Sequence, residues 1–302
     1  MNILVTGGAG FIGSHLSECL LFNGDNVTVL DNLSSGKVSN IPDKCNFILG
    51  DINDTELLAK VFEKVDICYH LAAIPSVQKS IENWIACHNV NLVGTVNIFL
   101  ASRVRAVPVV YASSAAVYGD TKVLPISETS NINPKSPYGL DKYYCELQAK
   151  AVADIYGAKT LGLRFFNVYG PRQDPHSSYS GVISIFVERI KHSKPLDVFG
   201  DGYQERDFIF IDDVVRALIL AKDNVSNEAK IYNICTGSGC SVNFLIDTLF
   251  DVFEKKVAIN YLNPRLEDVY KSIGSSKEAQ KELGFKATYS LKDGLKALTR
   301  SL

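Results

Sequence analysis

The first thirteen residues constrain the possible folds of this chain most strongly. An apolar run, Asn2–Thr6, leads directly into Gly7-Gly8-Ala9-Gly10-Phe11-Ile12-Gly13, and apolar residues at helical spacing follow. A glycine-rich turn between a strand and a helix allows close approach of the backbone to a pyrophosphate, and the helix N-terminus attracts the anion. Gly7, Gly10 and Gly13 therefore predict a dinucleotide-binding fold that starts with the first strand.

The rest of the first half alternates short apolar runs with segments of helical periodicity. Residues 27–30, 67–70 and 108–112 have the length and composition of buried strands, and residues 85–101 and 138–156 have helical spacing. Strands separated by helices predict an α/β fold with a doubly wound parallel sheet of the Rossmann type.

The alternation weakens after Arg164, which indicates a change of organisation. We expect an NAD-binding Rossmann domain over residues 1–164 and a smaller C-terminal α/β substrate lobe over residues 165–302. A later strand near residues 230–235 is expected to join the sheet of the first domain.

An acidic residue at the end of the second strand indicates which dinucleotide binds. Asp31 can accept hydrogen bonds from both hydroxyls of an adenosine ribose, and a carboxylate there would repel a 2′-phosphate. No arginine follows among residues 32–36, so NAD is favoured over NADP. Asp51 and Ile52, after the third strand, are candidates for the adenine end of the same site.

Tyr138 and Lys142 lie four residues apart at the start of a predicted helix, so their side chains share one face. Ser114 follows a buried strand upstream. A phenol with an ordinary pKa near 10 is almost fully protonated at neutral pH, and neighbouring positive charge favours the phenolate that a base requires. These three residues are therefore the candidate catalytic centre.

Composition and charge exclude several other classes of function. The net charge of −2 provides no basic field for nucleic acid and no polybasic patch for a membrane surface. The N-terminus has no leader-like region, and we expect every apolar run to be too short to span a bilayer. The protein is thus expected to be soluble and cytoplasmic.

The seven cysteines are scattered and contain no CxxC pair. Cys235 and Cys240 have the spacing of a possible ligand pair, but no histidine cluster accompanies them, so we expect no metal site.

Several motifs together resemble the extended short-chain dehydrogenase/reductase family, in particular its UDP-glucose/UDP-N-acetylglucosamine 4-epimerase branch. The resemblance covers almost the whole chain, and its motifs are TGGAGFIGSHL, DNLSSGK, GDI, HLAA, SSAAVYG, SPYGLDK, RFFNVYGPRQ and RDFIFIDDV.

The resemblance implies roles for individual residues. It identifies Ser114, Tyr138 and Lys142 as catalytic. It implies contacts with NAD for Gly7, Gly10, Phe11, Ile12, Gly13, Asp31, Asn32, Ser35, Gly36, Asp51, Ile52, Leu71, Ala72, Ala73, Tyr138 and Lys142. It implies contacts with the UDP-sugar for Ser114, Asn167, Arg206, Arg265, Asp268 and Ser272.

The activity implied by the resemblance is an NAD-dependent 4-epimerisation of a UDP-hexose through a 4-keto intermediate. The alternatives are a UDP-glucuronate 4-epimerase, a nucleotide-sugar 4,6-dehydratase or a decarboxylase; a non-catalytic NAD-binding protein is the alternative from another class. Ala115 and Ala116 stand where dehydratases and decarboxylases carry an acid, and the intact catalytic set argues against a mere binder. Relatives of this type dimerise, so a homodimer through residues 84–100 and 143–153 is expected.

Two positions depart from the family pattern. Asp141 stands where the family has serine, and we expect its side chain to face away from the site. Glu267 replaces the usual glycine before Asp268. The small residue Ser272 resembles the epimerases that accept N-acetylated sugars, so UDP-GlcNAc and UDP-GalNAc are expected substrates beside UDP-Glc and UDP-Gal.

Overall fold

The structure is a computed structural model that describes residues 1–175, 181–264 and 269–301. Its strands are β1 Asn2–Thr6, β2 Asn26–Asp31, β3 Asn46–Leu49, β4 Ile67–His70, β5 Val109–Ser114, β6 Thr160–Phe165, β7 Asn167–Tyr169, β8 Leu196–Phe199, β9 Glu205–Arg206, β10 Phe208–Phe210, β11 Lys230–Ile234, β12 Cys240–Ser241, β13 Ile259–Leu262 and β14 Lys271–Ser272. Its α-helices are α1 Phe11–Phe22, α2 Thr55–Phe62, α3 Val77–Glu82, α4 Trp84–His88, α5 Gly94–Arg103, α6 Pro137–Tyr156, α7 Val182–Lys191, α8 Ile211–Ala221, α9 Val242–Phe253, α10 Lys277–Leu283 and α11 Leu291–Arg300.

Seven strands form one sheet in the order β11-β6-β5-β4-β1-β2-β3. Every neighbouring pair in this sheet is parallel. The strand order reverses at β1 and β4, and ligands of such sheets bind at that switch point, beyond the carboxyl ends of the strands. The Rossmann-type sheet predicted from the alternation of elements is confirmed.

Both faces of the sheet are covered, as a parallel sheet requires. Ile3 and Val5 of β1 point into a core shared with Leu16 and Leu20 of α1. Leu4, between them, points into the opposite core, which contains residues of α2, α5 and α6. The apolar runs of the sequence are continuous in these strands because each face is buried.

The C-terminal lobe contains three small sheets in the described part of the chain. They are the pair β10-β7, the triplet β12-β9-β14 and the pair β13-β8. β11 leaves this lobe and pairs with β6 at the edge of the large sheet. The chain therefore enters the lobe after β6, returns to the large sheet at β11 and enters the lobe again with β12.

One predicted helix differs in detail from its prediction. Residues 85–101 were expected as a single regular helix, but α4 and α5 are joined by a π-helical turn, Asn89–Val93. Buried Asn91 lies in that turn, where its side chain is hydrogen-bonded to another segment. Single π turns of this kind are frequent at functional sites.

The continuous helical segment Trp84–Arg103 corrects our expectation about apolar length. It has 20 residues and contains an 18-residue stretch with a mean hydropathy of 1.2, so by length and composition it reaches the size of a bilayer span. Of that stretch, 39% is buried within the structure. Core helices of globular proteins meet the same criteria, and length and composition alone are weak evidence for a span.

Candidate active site

One cleft of about 790 Å³ opens at the carboxyl ends of the central strands, between the large sheet and the C-terminal lobe. The predicted site residues that line it are Gly7, Gly10, Phe11, Ile12, Gly13, Asp31, Asn32, Ser35, Asp51, Ile52, Leu71, Ala72, Ala73, Ser114, Tyr138, Lys142, Asn167, Arg206 and Ser272. Gly36 is not among the lining residues, and it packs beside Ala9 behind the glycine turn. Arg265 and Asp268 lie outside the described residues.

The glycine turn fits closely against the loop that follows β4. Gly7 has a φ of +73°, and a Cβ there would lie 2.6 Å from the Ala72 nitrogen. A Cβ at Gly13 would collide with the Gly7 carbonyl oxygen. Only glycine satisfies both constraints, and the result is a backbone cradle in front of the N-terminus of α1, the geometry suited to a pyrophosphate.

Asp31 is held in place at the end of β2 by backbone donors. One carboxylate oxygen accepts the Ala9 N–H at 3.0 Å, and the other accepts the Leu33 N–H at 2.8 Å. Each oxygen keeps a lone pair that a ribose hydroxyl could use. Asn32 donates to the Asp51 carboxylate at 2.9 Å and closes the far wall of the cleft. This cradle and its carboxylate fit the pyrophosphate and adenosine of NAD.

The catalytic candidates come from β5 and α6. Ser136 caps α6 by accepting the Gly139 N–H, and Pro137 takes the first helical position. A Cβ at Gly139 would lie 2.7 Å from the Ala116 carbonyl oxygen, so glycine permits α6 to approach the turn that carries Ser114. Tyr138 of α6 and Ser114 of β5 both line the cleft.

Lys142 is buried one turn further along α6. Its Nζ donates to the Ala112 carbonyl at 2.9 Å, which fixes the ammonium against β5, the strand that ends at Ser114. At the start of the same helix, the Tyr138 N–H donates to Ser80 Oγ of α3 at 3.1 Å. The helix that presents Tyr138 and Lys142 is therefore held from two sides.

Asp141 points away from the cleft, toward α4. Its carboxylate lies 2.8 Å from Nδ1 of His88 and is almost fully buried. Burial raises the pKa of Asp141, whereas the His88 hydrogen bond lowers it. The side chain next to Lys142 is thus engaged with a neighbouring helix.

A buried ion pair behind the catalytic centre has no local sequence signal. Glu146, one further turn along α6, accepts two hydrogen bonds from Arg164 of β6, at 2.7 and 2.8 Å, and one from Ser113 at 2.5 Å. Burial lowers the pKa of Arg164, but Glu146 and Tyr118 raise it, and the net direction is upward. Breaking such a pair typically costs about 3–5 kcal/mol, so it fixes α6 against the sheet.

The opposite wall of the cleft comes from the C-terminal lobe. Asn167 begins β7, and Arg206 ends β9. β14 pairs with β9 so that Ser272 lies directly beside Arg206. Asp207, fully buried, accepts hydrogen bonds from the backbone of Thr236, Gly237 and Gly274, which ties these strands into one unit.

Four cationic residues of the cleft were not predicted. Lys37, Lys79 of α3, Lys135 and Arg172 all line it, and Arg172 is also paired with Glu18 at 2.7 Å. Isolated basic residues in a chain of mixed charge carry no sequence pattern, so only the tertiary structure places them near an anionic ligand.

No group of His, Cys, Asp and Glu suited to a metal ion occurs among residues 1–175, 181–264 and 269–301. Burial raises the pKa of both Cys235 and Cys240, in the latter case to about 12. These thiols are protonated at neutral pH and are poor metal ligands.

Comparison with known proteins supports the same assignment. Residues 3–235 match the NAD dependent epimerase/dehydratase family. The chain belongs to this family. It is accordingly an NAD-dependent enzyme of the epimerase class, an isomerase, as the resemblance implied.

Solved structures of family members superpose over the full chain. A UDP-glucose 4-epimerase from Thermotoga maritima, solved with UDP-glucose, is 39% identical, with a TM-score of 0.96 over 100% of this chain and 98% of that chain. A UDP-N-acetylglucosamine 4-epimerase from Methanobrevibacter ruminantium, in complex with UDP-N-acetylmuramic acid, is 33% identical, with a TM-score of 0.95 over 99% and 97%. A UDP-glucuronic acid 4-epimerase from Bacillus cereus, with UDP-glucuronic acid and NAD, is 31% identical, with a TM-score of 0.92 over 100% and 98%.

Proposed function

We propose that the chain is a UDP-hexose 4-epimerase that interconverts UDP-Glc with UDP-Gal and UDP-GlcNAc with UDP-GalNAc. The observation that carries the proposal is the convergence of two residue sets in one cleft. One wall, on the side of the large sheet and α6, contains Ser114, Tyr138 and Lys142. The other wall, on the side of the lobe, contains Asn167, Arg206 and Ser272. Acid–base chemistry and a phosphate anchor therefore face each other across the cleft.

The catalytic roles follow from the positions of three side chains. NAD, when bound, supplies the chemistry of accepting and returning a hydride at C4 of the sugar. Tyr138 takes the proton of the 4-hydroxyl and later gives it back, while Ser114 hydrogen-bonds to the same oxygen. The Lys142 ammonium, fixed by its hydrogen bond to the Ala112 carbonyl, would hold the nicotinamide ribose.

The cofactor selectivity rests on Asp31. Its carboxylate is aimed by Ala9 and Leu33 and would accept the ribose hydroxyls. A 2′-phosphate there would face a negative charge, so the protein should bind NAD more tightly than NADP.

Inversion at C4 requires a firmly held diphosphate and a loosely held hexose. Arg206 and Asn167, together with Arg265 and Asp268, are proposed to hold the UDP part. An arginine fork is suited to phosphate oxygens. The small side chain of Ser272, beside Arg206, leaves space in which the ring can turn and in which an acetamido group fits.

The alternatives differ in what they would need from this cleft. A 4,6-dehydratase or a decarboxylase would need an acid after the catalytic serine, where Ala115 and Ala116 line the cleft. UDP-glucuronate epimerisation uses the same catalytic set, so UDP-glucuronate belongs in any substrate panel.

We further propose that the protein is a cytoplasmic homodimer. The α5 and α6 helices lie side by side, with Arg103 of α5 stacked on the Tyr156 ring of α6 at 4.6 Å. His88 of α4, which precedes α5, pairs with Asp141 of α6. Their outer faces expose apolar side chains, among them Leu100 and Leu147. Two such faces can form a four-helix interface.

The decisive experiment is product analysis by NMR after incubation with UDP-Glc, UDP-Gal, UDP-GlcNAc, UDP-GalNAc and UDP-glucuronate. We expect 4-epimers of the first four. Tyr138→Phe should lower kcat by about 10²–10⁴-fold, the usual contribution of a general acid–base group, while NAD stays bound. Dehydrated or decarboxylated products, or near-normal turnover in Tyr138→Phe, would contradict the proposal.

A further inference from the structure

A buried histidine connects the cofactor cradle with the helices of the catalytic side. His70 ends β4 in the middle of the sheet and is 2% exposed. Its Nδ1 lies 2.7 Å from Thr6 Oγ1 at the end of β1, and its Nε2 lies 2.9 Å from Thr95 Oγ1 of α5. The proposed mechanism does not use this imidazole.

We call Thr6, His70, Thr95 and Asn91 the cluster. Each hydrogen bond within it has a fixed donor and a fixed acceptor. Thr95 Oγ1 donates its single proton to the Asn91 carbonyl at 2.6 Å, so it must accept from His70 Nε2–H. A neutral imidazole then has a bare Nδ1, which accepts from Thr6 Oγ1–H. The Thr6 hydroxyl is in turn approached by the Ala72 N–H at 3.4 Å.

The neutral form is also the form that the surroundings favour. Burial, with a smaller contribution from the Lys142 ammonium, lowers the pKa of His70 to about 3. One tautomer of one charge state is therefore present at neutral pH, and both hydroxyls keep one orientation.

The far end of the cluster reaches the loop over residues 71–75, which lines the cleft. The Asn91 amide accepts the Ile74 N–H at 2.8 Å and donates to the Ile74 carbonyl at 3.2 Å. The Asn91 carbonyl also accepts from Cys145 Sγ of α6 at 3.2 Å. The cluster thus joins β1, this loop, α5 and the catalytic helix.

We propose that His70 is a positioning residue that holds the 71–75 loop in register with the glycine turn and α6. The loop packs so closely against Gly7 that no Cβ fits between them, so a small shift of Ala72 alters the cradle. Loosening the loop would misplace the cofactor relative to Tyr138, and it would leave Arg206 and Asn167 of the other wall in place.

Three variants separate the two hydrogen bonds. His70→Asn places an amide oxygen near the position of Nδ1 and keeps the Thr6 bond. His70→Gln places an amide nitrogen near Nε2 and keeps the Thr95 bond. His70→Leu keeps the volume and removes both. Thr160→Val is the control, because the Thr160 hydroxyl is buried in β6 with no hydrogen-bond partner in the described part of the chain.

Two measurements test the proposal: steady-state kinetics on the UDP-sugar and hydrogen exchange of the backbone amides of residues 71–74 in this loop. The kinetics rest on the proposed epimerase activity, and the exchange measurement does not. We expect His70→Leu to lower kcat at least tenfold with KM for the UDP-sugar within twofold, and to speed exchange in the loop at least tenfold. His70→Asn and His70→Gln should be intermediate in both, and Thr160→Val should match the wild type.

Unchanged amide exchange of residues 71–74 in His70→Leu would overturn the proposal, as would a KM that rises in proportion to the loss of kcat. If His70→Leu fails to fold, the His70→Asn and His70→Gln variants test the proposal in its place. Wild-type kcat and wild-type loop exchange in both would overturn it.

Discussion

Burial sets the protonation state of several side chains around the sheet. Burial raises the pKa of Tyr118 to about 12, although Arg164 acts in the opposite direction. It raises the pKa of the Cys45 thiol to about 11 and, with Lys142, lowers that of His70 to about 3. At neutral pH these groups are uncharged, whereas the buried side chains of Glu146 and Arg164 form an ion pair. His70 is therefore the group among these whose protonation would most disturb the fold on acidification.

The pH dependence of stability should contain a measurable term from His70. The unfolded imidazole has a pKa of 6.5 and the folded one about 3, so below pH 6.5 the unfolded state binds the extra proton. This stabilising term is complete above pH 6.5 and is lost as the pH falls toward 3, at about 1.4 kcal/mol per pH unit.

Urea unfolding between pH 7 and 5 measures this term. The free energy of unfolding of the wild type should fall faster with acidity than that of His70→Asn, by about 1 kcal/mol per pH unit. His192→Asn is the matched control, because His192 is 58% exposed, and it should follow the wild type. Parallel slopes for wild type and His70→Asn would contradict the assignment.

At the scale of elements, the short triplet β12-β9-β14 determines the shape of the substrate wall. β9 and β14 contribute two residues each, and their pairing places Ser272 beside Arg206. Asp207 stabilises the arrangement through its hydrogen bonds to two turns. Because these strands are so short, their side chains rather than their backbone ladders define the space available to the sugar.

Ser272→Tyr should convert a permissive pocket into a restricted one. An aromatic ring at this position would occupy the space proposed for the acetamido group, so kcat/KM for UDP-GalNAc should fall at least tenfold more than for UDP-galactose. Ser272→Ala is the control, because it removes the hydroxyl without adding bulk, and it should keep the wild-type ratio. An equal loss on both substrates in Ser272→Tyr would show that residue 272 does not limit the sugar.

At the scale of the whole molecule, the distribution of exposed apolar side chains is uneven. Several lie along the parallel pair of α5 and α6, and Tyr144 and Ile155 extend the same side of α6. The Trp84–Arg103 segment owes its bilayer-like hydropathy partly to this face. A second copy of the chain packed on this face would bury its exposed apolar side chains, and it would account for the high hydropathy of the segment.

Charges introduced on this face should therefore dissociate the protein. Leu100→Glu combined with Leu147→Glu should give a monomer in sedimentation or light scattering, where the wild type gives twice the chain mass. Phe22→Glu is the matched control, since Phe22 is 91% exposed at the end of α1, and it should leave the mass unchanged. A monomeric wild type would exclude the proposed interface.

The sequence by itself determined the sheet and the cofactor, and it predicted the candidate catalytic set. Each of these depends on a local pattern: the turn from Gly7 to Gly13, an acid closing the second strand, and a tyrosine and a lysine one helical turn apart. Turn geometry and periodicity act over a few residues, so the residues that satisfy them can be read in order along the chain.

The tertiary structure alone decided what surrounds that set. His70 is hydrogen-bonded to Thr6 and Thr95, and Glu146 of α6 is paired with Arg164 of β6. Ser272 meets Arg206 only through the pairing of two short strands. A single histidine, serine or lysine has no periodicity of its own. Its role depends on contacts between segments distant in sequence, and those contacts form only when burial of apolar surface brings the segments together.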